Sequence, residues 1–130
     1  DNAFINMDDI YQEELMDIYK NPARRGSLDD ANASTSQSNP MCGDDISVQL
    51  KIEDGVVKDA KFHGSACMVS IVSSEILLDY LVGKKLEEVK SISKEKLLEM
   101  LNLNLTTSRI GCATLALGAV QKAVTGYEEK

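Results

Sequence analysis

An α+β fold is what this sequence predicts: a small antiparallel sheet of about three strands with helices packed on one face. Two observations carry it. Residues 46–62 alternate apolar and polar side chains about a turn dipeptide, the period-two pattern of paired strands with one buried face. Stretches of helical period lie on both sides of that hairpin, one before it and several after. A chain of 130 residues is long enough to bury a core without staples, and residues 7–130 read as one domain.

Residues 8–20 open the chain as an amphipathic helix, with Tyr11, Leu15 and Ile18 on one stripe and Glu13, Glu14 and Asp17 facing away. Asp1 to Asn6 before it read as a flexible start or cloning remnant. Asn21-Pro22 stops the helix and Gly26 completes a turn. The small polar run from Ala31 to Asn39 fits either a short edge strand followed by a loop or a mobile segment. Ile46, Val48, Leu50 and Ile52 then mark a half-buried strand. Asp54-Gly55 turns it, and Val56, Val57, Ala60 and Phe62 form the return strand. His63-Gly64-Ser65 leads into a helix over residues 67–82, with Val69, Val72, Ile76 and Tyr80 on one face and Gly83 as a left-handed cap. A short helix spans 94–101, where Ser93 and Lys96 supply only part of a capping box. The last helix starts after Thr106-Thr107-Ser108, and Ile110, Ala113, Leu117, Val120 and Val124 make its packing stripe.

The charge balance narrows the function. With 14 basic and 21 acidic residues the net charge is −7, a surface that repels phosphate backbones, so nucleic-acid binding is not expected. No apolar run approaches membrane-spanning length and no charged-then-apolar leader opens the chain, so the expected location is cytoplasmic. Glu87, Glu88, Glu95 and Glu99 read as a solvated helical face.

Chemistry concentrates on three cysteines. Their odd number and long spacings argue against a disulfide framework. Cys42 lies in Asn39-Pro40-Met41-Cys42-Gly43-Asp44, where Gly43 lets the backbone fold tightly and brings Asp44 to the same side. Cys67 follows Gly64-Ser65-Ala66 at a helix start, and Cys112 follows Arg109-Ile110-Gly111 near the front of the last helix. Helix starts present outward amides that favour thiolate over thiol. Cys42, Asp44, Cys67 and Cys112 together supply three sulfurs and a carboxylate, enough for a four-ligand metal site. Three buried, inert thiols are the plain alternative.

These motifs resemble the U-type iron–sulfur scaffold family, IscU and SufU. The likeness runs from about residue 8 to 125. It rests on the Cys42–Asp44 loop, on Gly64-x-x-Cys67 followed by Ser70, Ser73 and Ser74, and on Arg109-x-x-Cys112-Ala113-x-Leu115. The helix end Met16-Asp17-x-Tyr19-Lys20-Asn21-Pro22 is similar to the SufU branch. The resemblance implies an α+β scaffold with the three cysteines clustered, a cysteine desulfurase as sulfur-donating partner, and apo iron–sulfur proteins as acceptors. It departs at Gly111, where IscU proteins carry a histidine, and at Ala66, where a glycine is usual. The insertion typical of SufU is absent, and Leu105-Thr106-Thr107-Ser108-Arg109 does not match the chaperone-binding motif of IscU.

Two functions follow from different classes. One is a non-enzymatic scaffold that binds iron and assembles a transient [2Fe–2S] cluster on Cys42, Cys67 and Cys112. The other is a carrier that holds Zn²⁺ in the same four-ligand site and takes persulfide sulfur from the desulfurase, a zinc-dependent sulfurtransferase. In both, Cys112 is expected as the persulfide acceptor, presented from a first helical turn, with Arg109 stabilising its thiolate. His63, the single histidine, is expected as a solvent-facing strand-end residue, its alternative role being an auxiliary ligand or proton donor.

Overall fold

The computed structural model describes residues 13–40, 43–101 and 107–129, with the side chains of 107–109 excepted. Asp1 to Asn6, Tyr11 and Cys42 therefore lie outside the described residues. Residues 13–20 are helical (α1), with Leu15 buried, Ile18 half-buried and Glu13, Glu14 and Asp17 exposed. Three antiparallel strands follow in spatial order β1-β2-β3: Ala33–Asn39, Asp44–Glu53 and Val56–Ser65. The helices α2 (Met68–Leu81), α3 (Leu86–Lys90), α4 (Lys94–Leu101), α5 (Thr107–Ala113) and α6 (Leu115–Glu128) complete the chain.

The sheet obeys its alternation. Ile46, Val48, Leu50 and Ile52 are buried on β2, and Val57, Ala60 and Phe62 on β3. Both α6 and α2 pack on the sheet, and their Leu77, Leu78, Leu81, Leu117, Val120 and Val124 join one core with these strand residues. The hairpin turn has positive φ at both Asp54 (55°) and Gly55 (72°), the conformation whose twist matches paired strands. Between Lys51 and Ile52 the register slips, so that Lys51 faces Asp59 while Ile52 faces Val57. The outer edge of β3 is covered by a parallel bridge from Arg25, in which Phe62 donates to the Arg24 carbonyl (2.9 Å) and Gly26 to the Phe62 carbonyl (2.8 Å).

The run at 31–39 resolves as an edge strand: Ala33 to Asn39 pair with Leu50 to Asp44 along their whole length. Gly43, at φ 70°, closes the loop by donating to the Asn39 carbonyl (2.9 Å). Gly83 has φ 92° beyond the end of α2, as its capping role requires. Ser93 accepts the Lys96 N–H (3.0 Å), and with lysine rather than glutamate at that third position the reciprocal half of the box is missing.

Two expectations are corrected and one element is added. The face of α2 is rotated: Ser70, Ile71, Val72, Ser73, Ser74, Leu77, Leu78 and Leu81 are buried, while Tyr80 is exposed and Val69 and Ile76 only partly covered. Hydropathy alone hid this, because three of the inward residues are serines. The short helix α3 intervenes before α4. Its end is held from α6 by the Gln121 amide, which donates to the carbonyl of Lys90, the last residue of α3 (3.3 Å), and to that of Ile92 just beyond (2.9 Å). The final helix is two helices broken at Thr114, although Ala113, Leu117, Val120 and Val124 are buried as the stripe predicts.

At the open end of the sheet, Gly64 pairs with Ile46 at φ 140°. A Cβ there would lie 2.0 Å from the Asp45 carbonyl oxygen, a rigid backbone atom. Gly64→Ala should therefore cost about 2 kcal/mol or more, read from urea unfolding. Gly126→Ala, in open space within α6, should be neutral or stabilise by up to about 1 kcal/mol. Equal stabilities for the two variants would contradict this reading of Gly64.

Candidate metal centre

Three chain segments converge at this open end of the sheet. Asp44 is the first residue of β2, Cys67 the N-cap of α2 and Cys112 the next-to-last residue of α5. One ligand atom of each lies within 4.8 Å of the other two. A tetrahedral zinc ion holds two thiolate sulfurs about 3.8 Å apart, so a contraction of about 1 Å would seat an ion among these donors. The donors also fit chemically, since two sulfurs with a carboxylate oxygen suit zinc or iron and leave a position for a further ligand.

Asp44 is 5% exposed. A buried carboxylate needs donors, and α2 provides them. Asp44 Oδ1 accepts the Cys67 N–H (3.0 Å), the orphan amide at the helix start. Asp44 Oδ2 accepts from the Ser70 hydroxyl (2.5 Å). The carboxylate of β2 thus caps α2, which has no side-chain cap of its own. Close passage of β3 beside β2 at Gly64 sets the distance over which Cys67 meets Asp44.

Cys112 is placed by the break at Thr114. The Ser70 hydroxyl also donates to the Cys112 carbonyl (3.0 Å), and the Ser73 hydroxyl donates to the Ala113 carbonyl. Ser74 donates to the Ser70 carbonyl within α2 (2.7 Å), and Thr114 Oγ1 to the Ile110 carbonyl (3.0 Å). Buried hydroxyls from α2 therefore grip the last carbonyls of α5 and tie the Cys112 backbone to the helix that begins at Cys67. The serines were visible as a motif but carried no assigned role. Their spacing of three and four among the apolar residues of the first half of α2 was the available signal.

The expected site residues divide as follows. Asp44, Cys67 and Cys112 are brought together. Cys67 is half-buried, and Cys112, at 1% exposure, is buried in the last turn of α5 rather than presented from a first turn. That expectation is corrected, because the helix break puts the cysteine before the long helix instead of on it. Cys42 lies outside the described residues. Arg109 falls in α5, three residues before Cys112, with its side chain outside the described set. His63 is exposed opposite Ser47 on β3 and is not among the clustered ligands. At Gly111, where a histidine was the family expectation, a Cβ would meet Asn39 Nδ2 at 2.9 Å, so the Asn39 side chain occupies that space.

The NifU-like N terminal domain family matches residues 10–130. The iron–sulfur cluster assembly scaffold protein IscU of Haemophilus influenzae is 36% identical over 124 residues, covering 92% of this chain and 97% of that protein. The zinc-dependent sulfurtransferase SufU of Bacillus subtilis is 31% identical over 140 residues, covering 95% of each. An IscU of Thermotoga maritima is 42% identical over 86 residues, which span 66% of this chain and 61% of that protein. In fold, the chain resembles the NifU-like N-terminal protein of Brucella abortus with a TM-score of 0.76 at 22% identity, covering 95% of this chain and 98% of that one. No described helix is long and apolar enough to cross a membrane.

Two measurements test the centre. Stoichiometric Zn²⁺ should raise the melting temperature, with about 2.7 kcal/mol of added stability at a hundredfold excess over Kd, and Cys67→Ser or Cys112→Ser should weaken the effect. Asp44→Ala should destabilise even the metal-free protein by about 1–3 kcal/mol, because the Cys67 amide loses its acceptor and the Ser70 hydroxyl loses one of two. A metal-free Asp44→Ala protein as stable as wild type would refute the capping role.

Proposed function

Because this chain belongs to the NifU-like N-terminal domain family, we propose that it is an iron–sulfur cluster assembly scaffold working in the cytoplasm with a cysteine desulfurase. The observation that carries the proposal is the convergence of Asp44, Cys67 and Cys112 at the open end of the sheet. Cys42, on the loop just before Asp44, is the proposed fourth ligand. Iron and the assembled [2Fe–2S] cluster are cargo, taken up here and passed to apo iron–sulfur proteins. A mixed sulfur and oxygen ligand set suits such passage, since a carboxylate is displaced from iron more readily than a thiolate.

Sulfur arrives by exchange. A thiolate of this chain attacks the outer sulfur of the desulfurase persulfide. The donor's S–S bond breaks, its cysteine leaves as thiolate, and a new S–S bond forms on the attacking cysteine with no net oxidation or reduction. Cys112 is the proposed acceptor and Arg109 its thiolate partner. With Cys112 buried, docking of the desulfurase must open the site before attack. The protein turns nothing over in this reading and is not an enzyme.

A second reading has Zn²⁺ resident on Cys42, Asp44, Cys67 and Cys112, with the protein a zinc-dependent sulfurtransferase carrying persulfide away from the desulfurase. Gly111 favours it, since no histidine stands before the third cysteine, as does the likeness to a protein named for that activity.

Anaerobic incubation with ferrous iron, cysteine and a desulfurase should give thiolate-to-iron charge-transfer absorption, which Cys67→Ser abolishes. Stoichiometric zinc after purification together with no such absorption favours the carrier. For the acceptor, each Cys→Ser variant is incubated with desulfurase and cysteine and its persulfide mapped by mass spectrometry. Cys112→Ser should lose the modification, and full persulfidation of that variant at another cysteine reassigns the role.

A further inference from the structure

Ser70 is 1% exposed and its hydroxyl touches all three clustered ligand residues. It lies 2.5 Å from Asp44 Oδ2, 3.0 Å from the Cys112 carbonyl oxygen and 3.7 Å from Cys67 Sγ. We propose that Ser70 is the positioning residue of the metal centre, whose hydroxyl sets the orientation of Asp44 relative to Cys67 and Cys112. The inference rests on the proposed metal centre and deepens it.

A hydroxyl has one donor hydrogen and two acceptor lone pairs. Ser70 Oγ accepts from Cys67 Sγ and shares its own hydrogen between Asp44 Oδ2 and the Cys112 carbonyl. The Cys112 carbonyl anchors the hydroxyl to α5, and the hydroxyl in turn fixes one oxygen of Asp44 while the Cys67 amide fixes the other. Held at both oxygens, the carboxylate cannot rotate freely, so its placement beside the Cys67 sulfur depends on Ser70.

Location supports a role beyond folding. Ser74 is just as buried and also donates to a carbonyl, yet it bonds the Ser70 carbonyl within its own helix and touches no ligand. Ser73 grips the Ala113 carbonyl, adjacent to a ligand but not in contact with its donor atoms. Only Ser70 of the three reaches a ligand sulfur and a ligand carboxylate.

The test uses the whole chain and two probes, Zn²⁺ by competition with a chromophoric chelator and Co²⁺ by absorption. Ser70→Ala should bind Zn²⁺ about 10–100-fold more weakly, the usual effect of removing an outer-shell partner, and should shift the cobalt d–d and thiolate charge-transfer bands. Ser70→Thr, which keeps the hydroxyl, should return both to near wild type, while Ser74→Ala should leave both unchanged. Circular dichroism of the metal-free variants establishes folding. If Ser70→Ala fails to fold, the isosteric pair Ser70→Thr and Ser70→Val decides. Wild-type affinity and spectrum in Ser70→Ala, or equal behaviour of the Thr and Val variants, overturns the proposal. Failure of the wild type to bind either ion instead overturns the metal centre on which it rests.

Discussion

One buried carboxylate organises this molecule. Asp44 begins β2, accepts the first amide of α2 and, through Ser70, reaches the carbonyl that ends α5. A carboxylate at 5% exposure would be costly without donors, and the donors it finds belong to segments 23 and 26 residues further on. Satisfying Asp44 therefore joins the sheet end to the α2 start, and the bond from Ser70 to the Cys112 carbonyl brings the α5 end to the same point. Those are the segments that carry Cys67 and Cys112. The folding constraint and the ligand geometry are the same set of bonds.

The remainder of the fold holds that point still. Gly64 lets β3 run against β2 closely enough to deliver Cys67, and Gly43 lets β1 return into β2 just before Asp44. On the far side of the sheet edge, Arg24 ties the segment before β1 to Glu75 and Asp79 of α2 and Asp59 of β3, with its backbone N–H on Glu75 at 2.8 Å. Those ion pairs are partly solvated and contribute little individually. Their value is geometric, since they fix α2 against β3 from outside while the serines fix it to α5 from inside.

Much of this was legible beforehand. Strict alternation from Ile46 to Ile52, a turn dipeptide and a three-and-four stripe from Leu117 to Val124 are local patterns, and each lies in the element it indicated. The meeting of Asp44, Cys67 and Cys112 was legible because their residue types and turn settings point to metal chemistry before any geometry is known, while Cys42 lies outside the described residues. Three things were not legible. The face of α2 misled because buried serines count as polar on any hydropathy scale, although their hydroxyls here bond to the carbonyls of Ser70, Cys112 and Ala113. The break at Thr114 has no glycine or proline to announce it and depends on those same hydroxyls. Cys112 is buried just before the break, so the same contact of α2 serines with the end of α5 bears on all three.

The order of the segments along the chain has a consequence for synthesis. Asp44 and Cys67 leave the ribosome well before Cys112, and α6, which covers β1 and β2, comes later still. A growing chain halted anywhere before residue 107 holds an incomplete ligand set and a sheet with its apolar face open. At that stage at most two of the three clustered side chains exist, with none of the enclosure that a finished core provides. The cluster of Asp44, Cys67 and Cys112 is thereby deferred until the chain closes its own interior, so that a complete set of donors reports a completed fold.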